Sequence, residues 1–372
     1  MGLTALNRTT QFIVSLIITA GALYYTLHNV SLKELSDSFA QAHYVYMVPA
    51  ILLMAFSYVL RCWRWRILLS PMKKVDTVGL FSPLMVGYMG NILPARAGEI
   101  LRPYLVGKKY DIPFSGALAT IVVERVTDIV ILLLIFLWVF VGHPEIFSPE
   151  AVFSGLSVQD LALNFGKIAG AISIFILIFI YSLLHHEGKA RRFMQWVVSR
   201  LPKKWHEKTD FWVQEFRLGI LILKDFQAFA KIIFLTSMEW AVNIYSMYPL
   251  YWAYDLKDKS QISVILLTVM IAIMVTVLPT PALLGSFHAG VTIALHNIMG
   301  ETEVAAAGVG MAGWGLNFLV IFLAGIYFIF HDSLSVRQLL NAEAEGEAEI
   351  DELEHHIDEE PPIQPGDSSS EK

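Results

Sequence analysis

Six stretches of this chain are apolar over nearly the full thickness of a lipid bilayer, which requires about 20 residues of helix to cross. They are Gln11–Leu27, Tyr44–Leu60, Ile121–Val141, Phe165–Leu184, Ile232–Ala253 and Val304–Phe330. Each is apolar on all sides, as lipid contact and bundle burial require, whereas a soluble surface helix carries a single apolar stripe. Composition agrees: 55% of the residues are hydrophobic, 16% are charged, and mean hydropathy is +0.56. The fold class implied is an all-α polytopic membrane protein. The first run follows only Arg8 and has no small-x-small cleavage pattern, so it reads as a retained membrane helix rather than a signal peptide.

Two further apolar regions are interrupted. Gly79–Gly107 breaks around Asn91-Ile92-Leu93-Pro94, and Ile262–Met299 breaks at Pro279-Thr280-Pro281 and Gly285. Basic residues orient the spans. Arg61, Arg64, Arg66, Lys73 and Lys74 follow the second run, and segment 185–231 carries ten lysines and arginines. Both segments are therefore expected on the cytoplasmic side. Loop 142–164 carries Glu145, Glu150 and Asp160 and is expected outside. With residues near 75 and 120 both inside, 79–116 must cross an even number of times, as a re-entrant hairpin does. The same count makes 262–299 a re-entrant hairpin entering from outside.

The expected architecture is about six full transmembrane helices plus two re-entrant broken-helix hairpins, in two halves, 1–142 and 143–332. Each half has an odd number of crossings, so the second is inverted relative to the first. Inverted repeats with broken helices in matching positions mark the binding sites of many transporters. Segment 185–231 is basic and amphipathic, with aromatics at helical spacing, and should lie on the membrane surface. Residues 333–372 form an acidic tail: from Glu343 it carries -11, against -6 for the whole chain, which leaves a basic body of +5. The tail is expected to be disordered, with both termini cytoplasmic, in the cell (inner) membrane.

Chemistry concentrates around the first break. Asn91, Pro94, Arg96, Glu99 and Arg102 are followed by Glu124, Arg125 and Asp128. Ionisable groups at membrane depth cost ~2.5–3.5 kcal/mol each on insertion scales, so they pair or face a cavity. For the carboxylates, internal salt bridges and a ligand site weigh equally. Arg96 sits just past the break, where backbone amides at a half-helix start would face an anion and a guanidinium binds phosphate bidentately. Arg61 and Arg64, with Trp63 and Trp65, read mainly as interfacial anchors. In the second hairpin Pro281, Gly285, Ser286 and His288 supply broken backbone and small polar groups, and Glu239 is a carboxylate inside an apolar run.

The series Arg61-x-x-Arg64-Trp65-x-x-Leu68-Leu69, Gly87-x-x-x-Asn91-x-x-Pro94-x-Arg96-x-Gly98-Glu99-x-x-Arg102 and Glu124-Arg125-x-x-Asp128 resembles the lysylphosphatidylglycerol synthase transmembrane region, the flippase-like domain family. The resemblance covers roughly residues 10–332. It implies a multi-spanning protein that moves lipids between leaflets, with Asn91, Pro94, Arg96, Glu99, Arg102, Glu124, Arg125 and Asp128 at the family's signature positions. In the second half, where that family often has Pro-x-x-Gly-Gly-x-Gly followed by a glutamate, this chain reads Pro281-Ala282-Leu283-Leu284-Gly285-Ser286-Phe287-His288. No aminoacyltransferase domain follows, so a stand-alone member is expected.

The expected function is translocation of a phospholipid or other phosphate-bearing lipid. In that reading Arg96 and Arg102 bind phosphate, and Glu99, Glu124 and Asp128 tune them. No Walker A motif or HExxH is present, and the single cysteine, Cys62, excludes a cysteine-built zinc site. No cofactor, metal, nucleic acid or ATP hydrolysis is therefore expected. The alternatives are an integral membrane transferase acting on a lipid-linked substrate, with a buried carboxylate as base, and a scaffold whose acidic tail recruits a cytoplasmic partner or a second copy.

Overall fold

The structure, a computed structural model, describes residues 8–92, 98–143, 225–278 and 280–334, with scattered positions between 152 and 178. It is helical throughout, save a two-residue antiparallel ladder of β1 (Val152–Phe153) on β2 (Leu156–Ser157). The first helix, α1 (Arg8–Leu27), bends by 73° into α2 (Leu32–Gln41). The bend is fixed by a capping box in which Ser31 and Glu34 exchange hydrogen bonds. One tight turn, Tyr44–Tyr46, leads into α3 (Met47–Leu69). Asp76 caps α4 (Thr77–Gly90), accepting from the Gly79 amide, and α5 (Gly98–Tyr110) and α6 (Phe114–Gly142) follow. The remaining helices are α7 (Phe226–Ala253), α8 (Gln261–Val277), α9 (Ser286–Thr292), extended by the wider turn Ile293–Ile298, and α10 (Glu303–His331).

Among the described residues, α3 with its leading turn, α6 and α10 are long and apolar enough to cross a membrane, and the bent α1–α2 pair makes a fourth. At 28 residues α7 is long enough, at ~42 Å, but Glu239, Asn243 and three tyrosines dilute its apolar run. The chain is thus an all-α multi-pass membrane protein. The second run extends further than expected, to Leu69, so that Arg61 and Arg64 lie inside a helix rather than at its exit. Most of the Phe165–Leu184 run, residues 185–224 and the tail from 335 lie outside the described residues.

Both interrupted regions are hairpins of short helices. At 14 and 13 residues, α4 and α5 reach only ~20 Å, short of a hydrocarbon core of about 30 Å. They run antiparallel. At the open end the Tyr110 hydroxyl donates to Asp76 at 2.8 Å. Further in, a Cβ on Gly87 would strike the Arg102 side chain, and one on Gly98 would strike the Gly87 carbonyl. Only glycine permits so close an approach at these two positions. In the second hairpin α8 and α9 are joined by a turn in which Ala282, Leu283 and Gly285 take positive φ angles of 52°, 60° and 94°. Gly290 then packs on the backbone of Ile271.

Helix α10 aligns the two hairpins. Its first half lies along the second: Gly310 faces His288 and Val291, and Trp314 donates its indole N–H to the Ala282 carbonyl at 2.8 Å. Its second half lies along the first: Gly325 faces Met89, Phe328 stacks on Phe81, and Asp332 pairs with Lys109 at 2.7 Å. The turn of the second hairpin reaches Trp314. The inner end of the first reaches Tyr88, whose ring lies 5.3 Å from Tyr58, and the Tyr58 hydroxyl donates to Asn317 at 3.1 Å. The inner end of the first also meets α10 at Gly325, through Met89, so the two hairpins point towards each other along α10 from opposite ends. Each hairpin has its own apolar core: Trp65, Leu80, Leu84 and Val106 for the first, and Leu250, Leu267, Phe287 and Val309 for the second.

Candidate functional site

The charges at membrane depth separate into a sealed network and an accessible rim. The network begins on α3, where Arg61 and Arg64 are one turn apart. Arg64 has no exposed side-chain surface and pairs with Asp128 at 2.5 Å, Glu124 at 3.1 Å and Glu239 at 3.2 Å. It also donates to the Thr236 hydroxyl at 3.1 Å. Arg61 pairs with Glu239 at 2.9 Å and donates to the Tyr88 hydroxyl at 2.8 Å. From α5, Arg102 gives its two terminal nitrogens to Glu124 at 3.1 and 3.4 Å, with its guanidinium 4.4 Å from the centre of the Trp65 ring. Three cations on α3 and α5 thus meet three carboxylates on α6 and α7. Glu239 stands midway along α7, ~20 Å from either end. At that depth three matched pairs hold the helices in one register, because freeing any member leaves a buried uncompensated charge.

This arrangement corrects two expectations. Arg64 is not an interfacial anchor but the centre of the network. Arg102 is 1% exposed and committed to Glu124, so it does not present itself to a phosphate. Glu124, Asp128 and Glu239 are likewise taken up in ion pairs.

The rim is formed by Glu99 and Arg125, whose side chains are 38% and 39% exposed. Arg125 Nε lies 3.8 Å from Glu99 and Nη1 lies 3.8 Å from Asp128, both beyond hydrogen-bond length, and Nε is without a hydrogen bond. Arg125 sits eleven residues into α6, ~17 Å from its start. Its Nε is buried, as are the unpaired Nε atoms of Arg61, Arg64 and Arg102, so what sets Arg125 apart is its part-exposed side chain and its long pairings. Asn91 ends α4, and its buried side-chain oxygen accepts no hydrogen bond. Pro94, Arg96 and Pro279 lie outside the described residues.

In the second hairpin Pro281 opens the turn after Thr280. The Thr280 and Ser286 hydroxyls are 2.7 Å apart, and the Gly285 amide donates to His288 Nδ1 at 3.4 Å. The His288 ring is 1% exposed and lies 5.8 Å from the Trp314 ring. Thr19 and Ala22 of α1 close over Gly285. The structure therefore divides the expected site residues between two places, with the Tyr58–Tyr88–Arg61 contacts and Asn317 between them. Tyr58 and Tyr88 carry no signal in the sequence beyond being polar-tipped residues in apolar runs. Arg61 and Arg64 did carry one, a one-turn spacing that gains meaning once the helix is seen to continue past Leu60. Among the described residues no cluster of His, Cys, Asp and Glu could hold a metal ion.

Comparison with known proteins matches residues 12–330 to the family model described as the lysylphosphatidylglycerol synthase TM region. A UPF0104 membrane protein of Methanothermobacter thermautotrophicus is 24% identical over 341 residues, covering 88% of this chain and 97% of that protein. Glycosyltransferase AglD of Haloferax volcanii is 27% identical over 126 residues, 33% of this chain and 20% of that protein. No solved structure matches.

Proposed function

This chain belongs to the family of the lysylphosphatidylglycerol synthase transmembrane region, and from that premise we propose that it moves a phosphate-bearing membrane lipid between leaflets. The observation that carries this reading is the Arg125–Glu99 rim, a part-exposed arginine whose ion pairs are both 3.8 Å long, beside the inner end of the first hairpin. A lipid phosphate would bind Arg125, with Arg96 as a second cation. Acyl chains would stay in the bilayer along the exposed apolar face of α10, at Leu319, Phe322 and Leu323. The sealed network would act as a frame rather than as ligand. Two hairpins that point towards each other along α10 suit alternating access, each closing the path from its own side. By the basic-residue count the protein sits in the cytoplasmic membrane with both ends inside. In this reading it is not an enzyme. Movement is driven by a gradient or by the lipid's own concentration difference.

The test is movement of a fluorescent phospholipid in proteoliposomes. Arg125→Gln removes a charged hydrogen-bonding group, worth roughly 1.5–3 kcal/mol, and is expected to slow movement about tenfold or more while leaving the fold intact. Folded wild-type protein that moves no lipid beyond protein-free vesicles overturns the proposal.

The partial likeness to a protein named a glycosyltransferase favours a second reading, a membrane transferase acting on a lipid-linked substrate. The carboxylate then best placed as base is Glu99, since Glu124 is held by Arg64 and Arg102. Turnover of a lipid-linked donor by purified protein, abolished in Glu99→Gln, would decide for it.

A further inference from the structure

The second hairpin holds a neutral imidazole in a setting that a single proton would turn into an anion site. The Gly285 amide donates to His288 Nδ1, so that nitrogen carries a lone pair and not a proton. His288 forms no ion pair among the described residues. The elements around it offer no counter-charge either. Helix α8 has no ionisable residue at all. In α1, Thr19 and Ala22 pack on Gly285, and its ionisable groups are Arg8 at one end and Tyr24 and Tyr25 at the other. Helix α10 presents Gly310 and Trp314 to the ring, and its ionisable groups, Glu303, Tyr327 and His331, lie towards its ends. Tyr251 of α7 lies in the apolar core with Phe287, and His296 follows two turns on, against Glu301 and Glu303.

Protonation at Nδ1 has two consequences at once. The imidazolium becomes a buried charge without a partner, which is costly. The Gly285 amide loses its acceptor, so that Nδ1–H and the Gly285 N–H become two adjacent donors with no acceptor between them, a demand that an anion would meet. The paired hydroxyls of Thr280 and Ser286 adjoin them, and Thr292, buried and one turn beyond His288, has a hydroxyl without a partner. We propose that His288, held by the Gly285 amide in the turn of the second hairpin, is a proton site whose protonated form is completed by the phosphodiester of the transported lipid, so that lipid and proton are taken up together. The proton enters Nδ1 on binding and leaves it on release, and no other bond changes. The inference rests on the lipid-translocation reading and adds its energy source, a proton gradient. It also gives the two hairpins different tasks: a fixed cation at Arg125 in the first, and a switchable one at His288 in the second.

The probe is dioctanoyl phosphatidylglycerol, a phosphodiester that does not itself titrate between about pH 5 and 8, where an imidazole does. Full-length protein in detergent is titrated with acid while tryptophan fluorescence is followed, because an imidazolium beside Trp314 quenches that indole. The expected result is quenching on acidification with a midpoint that rises when the lipid is added. It should be absent in both His288→Gln and Trp314→Phe. Binding of the lipid should weaken with rising pH by up to about tenfold per unit in the wild type, and should be flat in His288→Gln. Ser286→Ala, a milder change in the same turn, should keep the pH slope with weaker binding. Lipid binding that depends on Arg125 but is equally flat with pH in wild type and His288→Gln overturns the proton site and leaves the headgroup reading standing. No lipid binding at any pH overturns both.

Discussion

At the residue scale the buried charges differ in kind. Arg64 touches three carboxylates from two helices and has no route to solvent, whereas Arg125 is half-exposed and loosely paired. Removing one partner of a buried pair typically costs 3–5 kcal/mol, about what Arg64→Met should lose in unfolding titrations in mixed micelles. Arg125→Gln should lose roughly 1 kcal/mol or less, as exposed pairs do. Adding Asp128→Asn to Arg64→Met should restore part of the loss, because Arg125, the other cation near Asp128, is beyond hydrogen-bond length at 3.8 Å, whereas Glu239 keeps Arg61. Equal losses for Arg64→Met and Arg125→Gln would dissolve the distinction between frame and rim. The sequence made the charges visible and showed that they must be matched. It did not show which helix each faces. One-turn spacing sets a residue's direction from its own axis but says nothing of the neighbour, and Glu239 finds its partners on α3, some 175 residues earlier in the chain.

At the element scale, the hairpins were legible because proline and glycine interrupt runs too short to cross twice and too apolar to lie in water. What the pattern could not give is how tightly α4 and α5 meet. Gly87 lies so close to Arg102 that a Cβ there would push that side chain off Glu124. Alanine is favoured over glycine in a helix by about 1 kcal/mol, so the sign of the Gly87→Ala effect reports which wins. We expect destabilisation of roughly 1–3 kcal/mol, the usual cost of overpacking. Gly21→Ala in α1, where nothing lies within 4 Å, should be neutral or slightly stabilising. Stabilisation by both would mean that the hairpin is looser than described. Helix α2 escaped the reading by apolar runs because it is amphipathic and only ten residues long. Its signature was nonetheless present, in Ser31 followed three residues later by Glu34.

At the scale of the whole molecule, direction is what matters. The inversion of the second hairpin was inferred from counting crossings between basic segments. In the structure α10 runs past both hairpins, which point towards each other along it, the second meeting it at Trp314 and the first at Gly325. The open end of the first hairpin, near Lys73, and that of the second, near Lys257, should then face opposite sides of the membrane. Both lysines are exposed, and the native Cys62 is buried and should remain silent to a membrane-impermeant maleimide. Lys73→Cys and Lys257→Cys, introduced singly, should label from opposite sides in sealed right-side-out and inside-out vesicles, with Lys73→Cys reacting from the cytoplasmic side. If both label from one side, the hairpins enter together. In that case they would enclose a single-sided pocket, a geometry suited to binding or to transfer chemistry, because a path between leaflets needs one gate facing each side.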